Sequence, residues 1–280
     1  MTRLRAENIT VGYQRRTVST GLDLEIPDGR FTVIVGPNAC GKSTLLRALA
    51  RLLTPAAGQV VLDGKAIHAY PAKEVARRLG LLPQSSVAPE GISVAELVAR
   101  GRFPHQRLLQ QWSREDEAAV VAAMAATGVA DLSGEPVDTL SGGQRQRVWV
   151  AMVLAQQTPI VLLDEPTTFL DIAHQVELLE LCLRLNREQN TTMVAVLHDL
   201  NHACRYADHL VLMKNGRVVA EGEPGRVVTA ERIEAVFGLR CLIIPDPETR
   251  TPLVIPRAGD LHRTPASAER THENVQQPVR

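Results

Sequence analysis

Nine residues, Gly36-Pro37-Asn38-Ala39-Cys40-Gly41-Lys42-Ser43-Thr44, stand between an apolar, β-branched run, Phe31 to Val35, and a helical pattern, Leu45 to Leu53. A strand, a glycine-flanked loop and a helix in that order form the context of a phosphate-binding P-loop, and they commit the chain to an α/β architecture. Glycine lets the backbone N–H groups turn toward phosphate oxygens, the helix start adds about half a positive charge, and Lys42 adds a whole one. At about 4 Å and an effective dielectric of about 20, one such charge pair is worth on the order of 4 kcal/mol before desolvation. Ser43 would ligate Mg²⁺, and Thr44 would steady an α-phosphate oxygen.

The rest of the chain agrees with that class. Gly80 to Pro83, Ile160 to Asp164, Thr192 to Leu197 and His209 to Met213 read as further strands, alternating with helical stretches. From Asp171 to Arg187 the residues Ile172, Val176, Leu179 and Leu183 recur at helical spacing, which predicts that this stripe faces the sheet. Ser93 with Glu96 and Ser113 with Asp116 are capping boxes, and no convincing strand lies between Gly91 and Thr127, so the middle section reads as helical. Asn215-Gly216 has the chemistry of a two-residue hairpin turn, placing an antiparallel piece after the parallel core. After about Pro245 only Leu253 to Ile255 is apolar, so residues 245–280 are expected to form a flexible tail.

Bulk properties exclude several classes. The 31 basic and 31 acidic side chains cancel, so no global field attracts nucleic acid. Apolar runs fall far short of the roughly 20 residues a membrane span needs, and Met1 to Asn8 lacks the apolar region of a secretion signal, so the chain is expected to stay in the cytoplasm. Cys40, Cys182, Cys204 and Cys241 show no CxxC spacing and read as reduced thiols. His198 and His202 have an H-x3-H spacing, but no cysteine pair completes a tetrahedral zinc set.

Two more segments carry chemistry. Ile160-Val161-Leu162-Leu163-Asp164-Glu165 is an apolar strand ending in two carboxylates, a Walker B element. Asp164 would hold Mg²⁺ through water, and Glu165 would be the general base for the attacking water, worth about 10² to 10⁴ in rate. Leu140-Ser141-Gly142-Gly143-Gln144-Arg145-Gln146-Arg147 opens a helix, with Ser141 as N-cap and Gln144 placed for a capping box.

With the P-loop and Walker B, this LSGGQ segment resembles the signature of the ABC ATPases, over roughly Leu4 to Leu239. The resemblance implies a RecA-like P-loop core with an antiparallel β subdomain and an inserted α-helical subdomain, at about 85–157 within a nucleotide-binding domain of residues 1–244. It implies ATP as substrate and Mg²⁺ as cofactor. The Ser141 hydroxyl and the Gly143 amide would bind the γ-phosphate of ATP held by a second copy, with Gly142 and Gln144 in the same nucleotide-binding segment, in a head-to-tail homodimer that closes on two nucleotides. Tyr13 resembles the aromatic that stacks on adenine, and Gln84 the Q-loop glutamine that senses Mg²⁺. Asp171 lies in Thr167-Thr168-Phe169-Leu170-Asp171, which resembles the D-loop that crosses the dimer interface, and His198 resembles the switch histidine on the γ-phosphate. One departure is Ala39, where the family usually carries Gly. A left-handed residue there would cost Ala about 1–2 kcal/mol, so the loop is expected to have an ordinary conformation at this point.

Gly101-Arg102-Phe103-Pro104-His105, Thr167-Thr168-Phe169-Leu170-Asp171-Ile172, and Leu197-His198-Asp199-Leu200-Asn201 with Arg205-Tyr206-Ala207-Asp208 resemble bacterial ferric-siderophore importers, with haem and cobalamin importers as alternatives. In that reading the chain sits on the cytoplasmic face of the cell membrane. The section near Gln84 to Arg107 grips a transmembrane permease dimer, and a solute-binding protein delivers the cargo. A non-transport ABC ATPase of DNA repair or translation would need a long coiled coil or a second cassette, and the sequence has neither. A module that binds ATP without hydrolysing it is opposed by Lys42, Asp164 and Glu165.

Overall fold

The computed structural model describes residues 2–13, 16–106 and 112–257. Arg107 and residues 258–280 of the expected tail lie outside them. The chain runs through β1 (Leu4–Tyr13), β2 (Arg16–Ile26), β3 (Phe31–Val35), α1 (Lys42–Leu49), β4 (Ala57–Leu62), β5 (Lys65–Ala66), α2 (Ala72–Ala76) and β6 (Leu79–Leu82). The helices α3 (Val94–Ala99), α4 (Arg114–Ala126) and α5 (Gly142–Ala155) follow. Then come β7 (Ile160–Asp164), α6 (Ile172–Gln189), β8 (Thr192–Val196), α7 (Leu200–Tyr206), β9 (His209–Lys214) and β10 (Arg217–Gly222). The described chain closes with α8 (Pro224–Val227), α9 (Ala230–Phe237), β11 (Cys241–Pro245) and β12 (Pro252–Pro256).

The central sheet has the order β10-β9-β3-β8-β7-β6, parallel except for the β9–β10 hairpin. Its inner strands β3, β8 and β7 are buried along their whole length because both faces are covered, while the edge strand β10 alternates exposed and half-buried residues. Ile34, Ile160, Leu162, Val194 and Val196 pack on one side with Leu45, Leu46 and Leu49 of α1. Val33, Val35, Val161, Leu163 and Ala195 pack on the other with α3, α4, α5 and α6. A second, antiparallel sheet, β2-β1-β4-β5, shares the α1 side. Both sheets together are the α/β P-loop fold expected of the chain.

Register decides what converges. Ile34 pairs with Val196, Val196 with Asp164, and Leu163 with Leu82, so these strands end level with one another. Their continuations, Gly36, His198, Glu165 and Gln84, therefore leave the same edge. β3 also separates β9 from β8, which makes that edge a topological switch point, where open α/β sheets bind ligands.

Local signals are realised. Ser93, Ser113 and Ser141 each close a capping box, with Glu96, Asp116 and Gln144. Asn215 (φ 49°) and Gly216 (φ 75°) form the turn between β9 and β10. Three expectations need correction. The helix expected from Leu45 to Leu53 begins at Lys42 and ends at Leu49, because Arg51 turns left-handed (φ 62°). In α6 the buried residues are Leu178, Leu179, Leu181, Cys182 and Asn186, while Ile172 is 78% exposed. The first turn of α6 therefore overhangs the core instead of covering it. The tail does not start at Pro245, since β11 and β12 pair antiparallel from Cys241↔Pro256 to Pro245↔Pro252, and Cys241 and Val254 are buried.

Candidate active site

The pocket at the carboxyl edge has a volume of about 730 Å³ and is lined by the P-loop from Asn38 to Thr44, by Tyr13, and by Gln84, Glu165 and His198. Gly41 turns at φ 107°, a conformation closed to other residues, and hands the chain into α1 with Lys42 as its first residue. The amides of Ser43 and Thr44 thus belong to the first helical turn, whose N–H groups are free for an anion. Lys42 is buried, and its Nζ donates to the carbonyls of Gly36 (2.8 Å) and Pro37 (3.1 Å), curling the side chain back over its own loop. Ala39 is left-handed at φ 59°, contrary to expectation. Ala39 is exposed and bears the cost of that conformation, which glycine would not.

Ser43 Oγ donates to Asp164 Oδ1 at 2.8 Å. Asp164 is 1% exposed, and its other oxygen, Oδ2, accepts no hydrogen bond. Burial pushes the Asp164 carboxyl above its usual range, the Ser43 bond pulls it back, and the adjacent Glu165 charge raises it again. A buried carboxylate with one orphaned oxygen beside a hydroxyl is a hard-oxygen donor set, which fits Mg²⁺ completed by phosphate oxygens and water. Among the described residues no group of three His, Cys, Asp or Glu could cage a metal unaided.

Glu165 is held from both sides: Gln84 Nε2 donates to Oε2 at 2.8 Å, and His198 Nε2 lies 2.8 Å from Oε1. Its backbone is left-handed (φ 54°), aiming the side chain out of line with β7 and across the pocket. Gln84 thus meets Glu165 rather than Ser43 or Asp164. Cys40 is buried in the loop, and that burial pushes its thiol up against the opposing pull of Lys42.

The signature residues stand apart from this pocket. Ser141 Oγ accepts from Gln144 N (3.2 Å) while Gln144 Oε1 accepts from Ser141 N (3.0 Å), and both are at least partly exposed at the start of α5 with Gly142 and Gly143. Asp171 caps α6 through His174 N at 2.9 Å. Arg16, Thr17, Val18, Asn215 and Gly216 also line the pocket, a placement the sequence motifs do not mark. Asn215-Gly216 was legible as a turn, but only packing shows it seated on the P-loop, with Gly216 N donating to Cys40 O at 2.8 Å. No sequence signal marks Arg16 or Val18.

The model of the ABC transporter family matches residues 19–168. The ferric enterobactin transport ATP-binding protein of Escherichia coli K12 is 62% identical over 254 residues, covering 91% of this chain and 94% of that protein. The chain belongs to the ABC transporter ATPase family. This ABC ATPase is also 52% identical over 256 residues to the achromobactin transport ATP-binding protein of Dickeya dadantii 3937, covering 91% of this chain and 95% of that one. A bacterial ABC transporter cassette solved as a dimer superposes on the ABC ATPase with a TM-score of 0.71 at 27% identity, over 79% of this chain and 98% of that chain.

Proposed function

We propose that this ABC ATPase drives the uptake of iron–siderophore complexes, as two copies on the cytoplasmic face of the membrane beneath a permease dimer that a solute-binding protein supplies. The observation that carries the catalytic part is Glu165, clasped at 2.8 Å by both Gln84 and His198 at the rim of the P-loop pocket. The triphosphate draws Lys42 Nζ away from the Gly36 and Pro37 carbonyls, exchanging neutral acceptors for charged ones. Ser43 and Asp164 would hold Mg²⁺, which when bound neutralises charge on the β- and γ-phosphates. Glu165 accepts the proton of the attacking water through a carboxylate oxygen, and His198 orients it and contacts the γ-phosphate. Gln84 ties the same carboxylate to the helical section, so closing the site moves the surface that grips the permease.

The site in one chain is incomplete. Ser141, exposed, and Gly143, half-buried, sit at a second helix start outside the pocket, which supports their use on nucleotide bound by the other copy. The siderophore assignment rests on the relatedness to the ferric enterobactin and achromobactin proteins. It is tested by deleting the chain from its native cell and measuring uptake of radioactive ferric siderophore, haem and cobalamin. Loss of siderophore uptake alone supports it, and loss of haem or cobalamin uptake alone overturns it. For the chemistry, Glu165→Gln should bind ATP and accumulate as a closed dimer without releasing phosphate. Unimpaired phosphate release would remove Glu165 from the role of base.

A further inference from the structure

Of the segment Leu197-His198-Asp199-Leu200-Asn201 the nucleotide site uses His198, and Asn201 is engaged elsewhere. Asn201 lies in the first turn of α7 and makes two bonds with one residue of the C-terminal hairpin: Val254 N donates to Asn201 Oδ1 at 2.7 Å, and Asn201 Nδ2 donates to Val254 O at 3.3 Å. The side-chain amide thus imitates a neighbouring strand, offering one acceptor and one donor to the free edge of β12. One turn on, Arg205 pairs with Glu248 in the loop between β11 and β12. Asn201 and Arg205 are four residues apart and share a face of α7, so both fix the same hairpin. Below them Val254 and Cys241 are buried in the core cluster that holds Ala203, Cys204 and Tyr206.

His198 lies between two anchors. On its N-terminal side Leu197 N donates to Ile34 O (3.2 Å), tying the segment to β3. On its C-terminal side Asn201 ties it to the hairpin, while Asp199 caps α7 by accepting from His202 N at 2.7 Å. The His198 side chain is itself about half exposed and held by Glu165 alone among the contacts described, so its placement depends on the backbone at either end.

We propose that the C-terminal hairpin is a positioning element for the nucleotide site, and that Asn201, by clamping Val254, is a positioning residue that holds the His198 segment in register with Glu165. The inference rests on the reading of His198 as a γ-phosphate contact. A displacement of about 1 Å at such a contact is enough to lower a rate by about a hundredfold, and supporting hydrogen bonds one layer out are commonly worth about tenfold to a hundredfold.

The experiment uses the full chain and steady-state phosphate release. Asn201→Ala should lower kcat by about tenfold, leave KM for ATP within about twofold, and retain a cooperative melting transition. Asn201→Asp keeps the acceptor for Val254 N–H and sets a carboxylate against Val254 O, so kcat should fall in that variant too. In a His198→Ala background, where single-turnover release is measured, adding Asn201→Ala should change the rate by less than about twofold. An undiminished loss in that background shows that Asn201 does not act through His198 and overturns the proposal, as does unfolding of both Asn201 variants, which makes the clamp a support of the fold instead. If His198→Ala alone leaves turnover unchanged, it is the reading of His198 that fails, and the clamp falls with it.

Discussion

Ser43 Oγ and Asp164 Oδ1 meet at 2.8 Å across 121 residues of chain, joining the first turn of α1 to the end of β7 although β8 lies between their strands. The hydroxyl is the only partner described for this buried carboxylate, and it fixes which oxygen is left open. Ser43→Ala should therefore raise the Mg²⁺ concentration for half-maximal phosphate release by about tenfold or more, as loss of a ligand-orienting group does at other metal sites. Titrating Mg²⁺ at saturating ATP measures it.

Asp164 should also limit the stability of the nucleotide-free protein. Its folded-state pKa lies above the ordinary 3.8, chiefly through burial, so the folded state resists ionisation more than the unfolded chain does. Below 3.8 the carboxyl is protonated in both states and costs nothing. As pH rises past that value the cost appears, and it is complete above the folded pKa. Asp164→Asn should abolish hydrolysis yet raise the melting temperature at pH 7.5, by about 2–4 °C for each kcal/mol recovered. The gain should shrink as pH falls toward 4, and calorimetry across pH distinguishes this from a uniform packing effect.

Ala39 holds a left-handed backbone (φ 59°) that glycine adopts freely. Ala39→Gly removes about 1–2 kcal/mol of strain and adds back about 0.4–1 kcal/mol of unfolded-chain entropy. The expected result is a net stabilisation of about 0.5–1 kcal/mol, read as a higher urea midpoint at an unchanged slope.

Gly216 admits no side chain. An added Cβ would stand 1.9 Å from Val18 O, and the residue is left-handed at φ 75°. Gly216→Ala should push the β9–β10 turn off the P-loop, breaking the 2.8 Å bond to Cys40 O. A loss of about 3 kcal/mol or more is expected, with a raised KM for ATP, since the turn and Val18 both line the pocket.

Phe169 and Ile172 are each 78% exposed, and Phe169 stands beside Gly142 of the signature segment. Two large apolar side chains left in water at the site proposed to face the second copy are each worth about 1.5–3 kcal/mol when covered. In a Glu165→Gln background, Phe169→Glu should abolish the ATP-induced dimer seen by light scattering while leaving ATP binding to the single chain intact. Persistence of the dimer would place Phe169 outside the interface.

The sequence by itself determined what is local. The strand-to-helix P-loop, the carboxylates closing β7, three capping boxes and the Asn215-Gly216 turn are each marked by residue types within a few positions of one another along the chain. Tertiary structure decided the rest, because strand register and helix rotation are set by the whole core. Only the alignment of Ile34, Val196, Asp164 and Leu82 brings Gly36, His198, Glu165 and Gln84 to one edge. Periodicity marked an apolar stripe on α6 without showing that Ile172 overhangs the core, and composition read Pro245 onward as tail because an isolated two-stranded hairpin cannot stand alone. Packing against α7, with Asn201 supplying the edge that the hairpin lacks, is what orders it.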